Sequence, residues 1–473
     1  MKSWLGRIFP KNEFLRGVGI LVGGTASAQV LLVLASPLLT RLYTPADFGL
    51  LAVYSALLAL FSVVSSLRYE LAIPLPESNG EAANILVLSL IVVAAMTGIS
   101  CLMILLAGDQ IASALDSPNL VQYFWLLPIG IFLAGIYKVF NYWAVRTKSF
   151  GDITVTRISQ TLVTLAFQLF LYKLGSLALL LGQAGGQGIG SYRLTRSALK
   201  HEEFRTWSWS GIWAAARRYK QFPIFSTWSG LFNTGGTQLP PLIFATCFSA
   251  SSAGFYALAS RILNIPMSLI GGAIGQVYFS DLAEAKRESK LSKLIQNGIL
   301  SLLKLSLPAA GCFMLIAPDL FSFVFGAEWQ MSGEIARWMV PWILFQFISS
   351  PLSTLFFVLE KENLGLYFQA SMLLIRVASL MIGFLYYDFF QTLIIFSLAS
   401  ALCYFLYTVN IVMLASIPLK WLFLTIGREL ALVLFAAIPV LYFYLTSSLV
   451  LAYILAIIIT LVFYILRLRT LFK

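Results

Sequence analysis

Four basic residues, Lys138, Arg261, Lys304 and Arg376, interrupt long apolar runs of this chain. A charge at the centre of a membrane-spanning helix costs at least about 2.5–3.5 kcal/mol, so such residues are rare unless they have a task. The acids do not mirror the bases: all 20 Asp and Glu fall in loops or near run ends, with Glu70 and Glu429 the most embedded. The buried bases therefore cannot all belong to intramembrane ion pairs. They face water, or a ligand that is itself anionic, which arginine grips with a planar fork and lysine as a point charge.

Helical spacing supports a shared role. In the run 253–278, Arg261, Asn264, Ser268, Gly272 and Gly275 follow steps of three and four and form one polar or small stripe. Asn297, Ser301, Lys304 and Pro308 do the same in 294–317, and Gln369, Arg376, Ser379 and Gly383 in 364–386. The run 223–247 adds Ser226, Asn233 and Thr237 before the Pro240–Pro241 pair. Such stripes line a cavity between helices rather than face lipid. Lys138, with Asn141 and Tyr137 nearby, could instead snorkel toward the Arg146 end of its run. Each base could also bond to carbonyls freed at the prolines that recur in these runs. Glu70 is the best candidate for coupling transport to an ion; its alternative is a structural pair with Arg68 or a nearby lysine.

Other chemistry is hard to find. Cys101, Cys247, Cys312 and Cys403 all lie in apolar runs and read as small core residues. The single histidine, His201, sits in a polar segment, so neither a histidine metal site nor a catalytic triad is expected. GQAGGQGIG (182–190) follows no strand, so it is not a phosphate loop; Gly182, Gly186 and Gly190 make a close-packing face instead. No paired carboxylates share a plausible site, no ligand spacing implies a metal, and no cofactor is expected. A membrane glycosyltransferase or polymerase would need long extramembrane loops, which are missing.

The elements that must position these residues are membrane helices. Hydrophobic residues make up 59% of the chain and charged residues 11%, with a mean hydropathy of +0.86; a soluble domain is near a quarter charged. Spans need roughly 20 apolar residues, and the expected ones are 17–40, 49–69, 83–107, 121–143, 153–172, 176–192, 223–247, 253–278, 294–317, 335–359, 364–386, 390–414, 430–446 and 449–466. The first 16 residues resemble a signal n-region, but the apolar run behind them is too long for a signal and is taken as the first span. With the N-terminus inside, only Arg41, Lys173 and Arg337 of the 32 Lys and Arg fall in outer segments, which puts both termini in the cytoplasm. The net charge of +12 expresses this bias and not an affinity for nucleic acid.

The chain also repeats. PADFGLLAVYSALL (45–58) resembles SSAGFYALASRIL (251–263), and RTKSFG (146–151) matches the position of EKENLG (360–365). Spans 1–6 and 7–12 are thus two copies of one six-helix unit in the same orientation. The expected division is an N-lobe over 1–200, a cytoplasmic amphipathic linker over 201–222, a C-lobe over 223–416, and a final helix pair over 417–473. In the linker, Trp207, Trp209 and Trp213 stand beside Arg217, Arg218 and Lys220, a composition suited to anionic lipid headgroups; the sharper alternative is a dock for the phosphate of an incoming lipid.

Two stretches carry a family resemblance: TRLYTPADFGLLAVYSALLALFSVVSSLRYELAIPLP (40–76), above all its LYTPADFG and RYELAIPLP elements, and residues 217–279 from RRYKQFP to GQVYF. They resemble the polysaccharide transporter family, the Wzx-type O-antigen and exopolysaccharide flippases. The resemblance implies a fold shared with multidrug and oligosaccharidyl-lipid exporters, two six-helix lobes around a central cavity. It implies an undecaprenyl-pyrophosphate-linked oligosaccharide carried across the bacterial inner membrane by alternating access, without catalysis. Membrane lipids, and the polymerase and chain-length proteins of a lipopolysaccharide or capsule pathway, would be its partners. Family members keep basic residues in the cavity, as Arg261, Lys304 and Arg376 would be, with Lys138, Asn264 and Asn233 beside them. The extra helix pair departs from the twelve-span pattern and keeps a lipid II flippase of peptidoglycan synthesis open as an alternative; a membrane polymerase or glycosyltransferase is the rival of a different class.

Overall fold

The computed structural model describes residues 13–114, 122–200, 206–267, 290–359 and 361–446, with isolated positions at 282, 285, 454–455 and 458–459. Among these residues the chain is helical throughout, and eight helices are long and apolar enough to cross a membrane by length and composition alone. The chain is a multi-pass membrane protein. It divides into two compact units, Met1–Ala257 and Leu258–Lys473. The division falls beyond the expected linker because the helix that follows the linker packs along the second helix of the chain.

The first unit contains α1 (Glu13–Leu42), α2 (Pro45–Val64), α3 (Asn79–Ala114), α4 (Leu126–Arg146), α5 (Phe150–Phe170), α6 (Ser176–Ala198), the short α7 (Trp209–Arg218) and α8 (Thr227–Cys247). The next helix, α9 (Ala250–Leu263), begins in the first unit and ends in the second. Sequence dictates several boundaries. Thr44 and Asp47 form a reciprocal capping box at the start of α2, with Pro45 in its first turn. Gly175 turns the chain into α6 at φ 57°, a region that glycine reaches at low cost.

Helices in lipid gain little from burying apolar surface against one another, so small residues and polar contacts decide their packing. The expected glycine face on α6 is present. A Cβ at Gly182 would collide with Gln168 and the Thr164 carbonyl, one at Gly186 with Thr164, and one at Gly190 with Gln160, all on α5. The helix starts PADFG and SSAGF, alike in sequence, meet in the same way. A Cβ on Gly49 of α2 would strike the Ala250 carbonyl, and one on Gly254 of α9 would strike the Pro45 carbonyl. The two related helix starts therefore cross backbone to backbone, each glycine against the opposite helix's first turn.

Within the expected linker, Ile212 and Ala215 of α7 are buried, while Trp209 and Trp213 are 71% and 63% exposed. Arg217 lies 5.3 Å above the Trp213 ring. The helix is tied to α3 by Arg218 on Glu81 at 2.8 Å and by the Ser208 amide on Asn84 at 2.8 Å. Burial first, then Glu81, pushes the neighbouring Tyr219 phenol above its ordinary range.

The second unit contains α10 (Leu291–Phe325), α11 (Gln330–Leu352), α12 (Glu362–Tyr386), α13 (Phe389–Leu414) and α14 (Leu419–Leu445). Pro318 in α10 cannot donate to the Met314 carbonyl. Arg337 of α11 supplies the missing donor, with Nε 2.8 Å from that oxygen and Nη2 3.2 Å from the Leu315 carbonyl. The expected span 449–466, the stripe residues Ser268, Gly272 and Gly275, and His201 lie outside the described residues, the four positions at 454–455 and 458–459 excepted.

The crossing is testable by adding one methyl group. Gly254→Ala should lower the melting temperature of the purified protein by the equivalent of about 3 kcal/mol or more, since backbone cannot yield as a side chain would. Gly98→Ala, which meets nothing within 4 Å, should leave it unchanged.

Candidate functional site

In the first unit the site grows from the end of α2. The apolar run suggested a helix continuing through Tyr69, but α2 stops at Val64. Leu67 and Arg68 then adopt left-handed conformations, φ 47° and 62°, which cost roughly 1–2 kcal/mol per residue with a side chain. A single 3-10 turn, Tyr69–Ala72, follows. Surroundings hold this costly turn in place. Arg146 donates to the carbonyls of Ile73 (3.3 Å), Pro76 (2.6 Å) and Glu77 (3.2 Å), and Ala72 and Ile73 are fully buried against the α3–α4 core.

This turn places Glu70 at 1% exposure, where its carboxylate accepts the Ser66 hydroxyl. Lys138 of α4 donates 2.6 Å to the Ser62 carbonyl in the last turn of α2, a favourable place for a cation because that end of a helix carries partial negative charge. Two of the expected residues, half-buried Lys138 and buried Glu70, thus bond within the same short stretch, residues 62–70, which also carries half-buried Arg68. Asn233 is exposed on α8, as is Thr237 one turn on.

The sequence marks Arg68 only as a structural partner for Glu70 and not as a site residue. Its Nε is buried with no hydrogen-bond partner. Its guanidinium lies so close to Gly230 of α8 that a Cβ there would collide with Nη2, Nε and Cζ. One signal was available: RYELAIPLP carries two charges without the Gly, Asn or Ser cluster that marks a solvated loop.

The second unit carries the other expected residues. Arg261 lies in the last turn of α9, half-buried, and Asn264 just beyond it returns its side-chain amide to the Ser260 carbonyl at 2.8 Å. Lys304 is half-buried on α10. Arg376 of α12 is 6% exposed and lies between two rings, 4.8 Å from Trp342 of α11 and 5.1 Å from Phe396 of α13. Those rings meet edge to face at 5.4 Å. Such contacts contribute about 0.5–2 kcal/mol each for a desolvated cation. They hold the guanidinium plane while its Nε remains without a hydrogen-bond partner. No sequence signal pairs Trp342 and Phe396 with Arg376, because the three lie on separate helices.

A cavity of about 360 Å³ opens beside these bases, lined by Leu263, Met267, Leu305, Ala309, Ile343 and Phe347 among others. Its walls are apolar, and neither Arg261 nor Lys304 lines it. On α10 the lining residues 305, 309 and 313 form the ridge next to the Ser301–Lys304–Pro308 stripe. Among the described residues, no group of acids, cysteines and histidine has the spacing to hold a metal ion.

The chain matches the family model described as polysaccharide biosynthesis protein over residues 38–334. No curated protein is matched by sequence. Among solved structures it is similar to one described as the lipid II flippase MurJ in an inward closed conformation, with a TM-score of 0.72, 13% identity, and coverage of 96% of this chain and 99% of that one. It is also similar to an inward-facing multidrug resistance MATE transporter of the MOP superfamily, with a TM-score of 0.61, 15% identity, and 84% and 94% coverage. A third is a MOP superfamily transporter from Pyrococcus furiosus, described by a binding pocket of reversed polarity, with a TM-score of 0.56, 17% identity, and 85% and 95% coverage. At these identities the likeness shows the fold, which is that of MOP-superfamily transporters.

The buried group at Glu70 predicts a charge effect separable from volume. Glu70→Gln keeps the shape and an acceptor for the Ser66 hydroxyl but removes the buried charge, so stability should fall by about 1 kcal/mol or more. A thermal melt of the purified variant that matches wild type would contradict this reading.

Proposed function

The chain belongs to the polysaccharide biosynthesis protein family, and we propose that it is a flippase for undecaprenyl-pyrophosphate-linked oligosaccharide repeat units. The observation that carries this reading is the excess of base over acid inside apolar helices. Lys138, Arg261, Lys304 and Arg376 lie within helices, whereas the fully buried carboxylates among the described residues are Glu70 and Glu429. Glu70 is committed to Ser66, and Glu429 has Arg428 at 2.9 Å. A pyrophosphate diester with about two negative charges is a cargo whose charge complements this excess of base. Organic cations, the cargo expected of acidic pockets, would be repelled.

In this mechanism the basic residues receive the pyrophosphate and glycan from the cytoplasmic leaflet while the prenyl chain stays in the bilayer. Alternating access then exposes the headgroup to the periplasm. An inside-negative potential assists, since moving two uncompensated negative charges outward gains roughly 4–5 kcal/mol per 100 mV. Orientation in the inner membrane with both termini cytoplasmic follows from the distribution of Lys and Arg. Glu70, the candidate for ion coupling, is buried and accepts the Ser66 hydroxyl.

Lipid II, the cargo named for MurJ, is the second reading, supported by the coverage of 96% of this chain in that likeness. It has the same pyrophosphate chemistry, so the two readings divide on cell biology. Loss of a repeat-unit flippase leaves lipid-linked repeat units in the inner leaflet of viable cells, whereas loss of a sole lipid II flippase arrests wall synthesis.

Arg261→Ala and Arg376→Ala should each abolish surface polysaccharide in a complemented deletion strain, with the membrane level of the protein unchanged. Normal export by both variants would overturn the anionic-substrate model.

A further inference from the structure

We infer that Arg68, held against Gly230 at the junction of α2 and α8, is a second anchor for the diphosphate of the lipid-linked substrate. The inference rests on the function proposed above and deepens it by naming a subsite within the first unit.

Four observations converge on this place. Arg68 sits in the second of two successive left-handed residues, neither of them glycine. Such conformations persist only where the surroundings over-determine them, and they cluster at ligand sites. Here the surroundings are the Arg146 clamp on residues 73–77 and the buried turn carrying Glu70. Gly230 supplies the second observation: only a residue without a side chain lets the guanidinium lie flat on α8. Thirdly, the backbone just before α8 widens into a π-turn over Phe222–Ser226 that packs on the Tyr69–Ala72 turn. Single π-turns of this kind are frequent at functional sites.

The fourth observation is unfilled bonding capacity. A guanidinium carries five donors in a planar fork, and here the buried Nε has no hydrogen-bond partner. Leaving a charged donor dry is unfavourable unless a ligand or water meets it. Charge points the same way. Lys138 at the Ser62 carbonyl and Arg68 two residues before Glu70 set two bases against one carboxylate along this stretch. Lys138 spends one of its three donors on the Ser62 carbonyl. Two adjacent phosphate oxygens fit the arginine fork, with the lysine as a point charge beside it. Ser229, exposed on α8 next to Gly230, and Asn233 one turn on would then face the first sugars.

The test uses the full chain in lipid nanodiscs, with undecaprenyl pyrophosphate as the probe and phosphatidylglycerol as a competing phosphate amphiphile. Arg68→Lys keeps the charge but loses the fork, and Gly230→Ala keeps the arginine but displaces it. Each should weaken undecaprenyl pyrophosphate binding about tenfold or more, with wild-type melting retained in Arg68→Lys. Wild-type binding accompanied by unchanged affinity in Arg68→Lys overturns this subsite and leaves the proposed function standing. No binding by wild type overturns both. Equal competition by phosphatidylglycerol assigns the site to bulk headgroups and overturns the diphosphate anchor.

Discussion

A basic side chain inside an apolar helix must find a counter-charge, a hydrogen-bond acceptor or an aromatic face, and that requirement organises this molecule. Each base meets it differently. Lys138 takes the end of a helix, Arg337 takes carbonyls at a proline, and Arg376 takes two rings. Arg68 takes the backbone surface that Gly230 leaves open. Only some of these solutions use up the bonding capacity of the cation. Arg337 is bonded at Nε and both terminal nitrogens, whereas Arg68 and Arg376 keep a buried Nε without an acceptor. The first arrangement is a structural joint; the second leaves donor capacity of the kind that the proposed anionic cargo would use.

Glycine is the complement of this pattern. Where apolar burial gives helices in lipid little reason to associate, close backbone approach supplies it. The α5–α6 face and the Gly49–Gly254 crossing show the principle between chain neighbours and between two distant helix starts of similar sequence. The same absence of a side chain at Gly230 brings a charge against a helix instead of another backbone. Packing and site construction here rest on one residue type at different positions.

Much of the architecture was legible in the sequence. The apolar runs, the glycine face at 182–190 and the amphipathic character of the linker follow from periodicity and composition, which are local. The end of α2 was not legible. No Gly, Asn or Pro marks the stop after Val64, and the left-handed pair at Leu67–Arg68 is imposed by the Arg146 clamp more than 70 residues away in sequence. Arg376 could be singled out as a misplaced charge, but its rings come from two other helices. Asn264 illustrates the reverse: it lies on the expected stripe, yet its amide is spent on its own helix.

The central claim is that these bases serve a mobile anion. Its most direct test is flipping in reconstituted vesicles, comparing an undecaprenyl-pyrophosphate-linked oligosaccharide with the same glycan on a neutral prenyl ether. The account predicts protein-dependent movement of the pyrophosphate-linked lipid alone. Equal movement of the neutral lipid, or movement of neither, would contradict it.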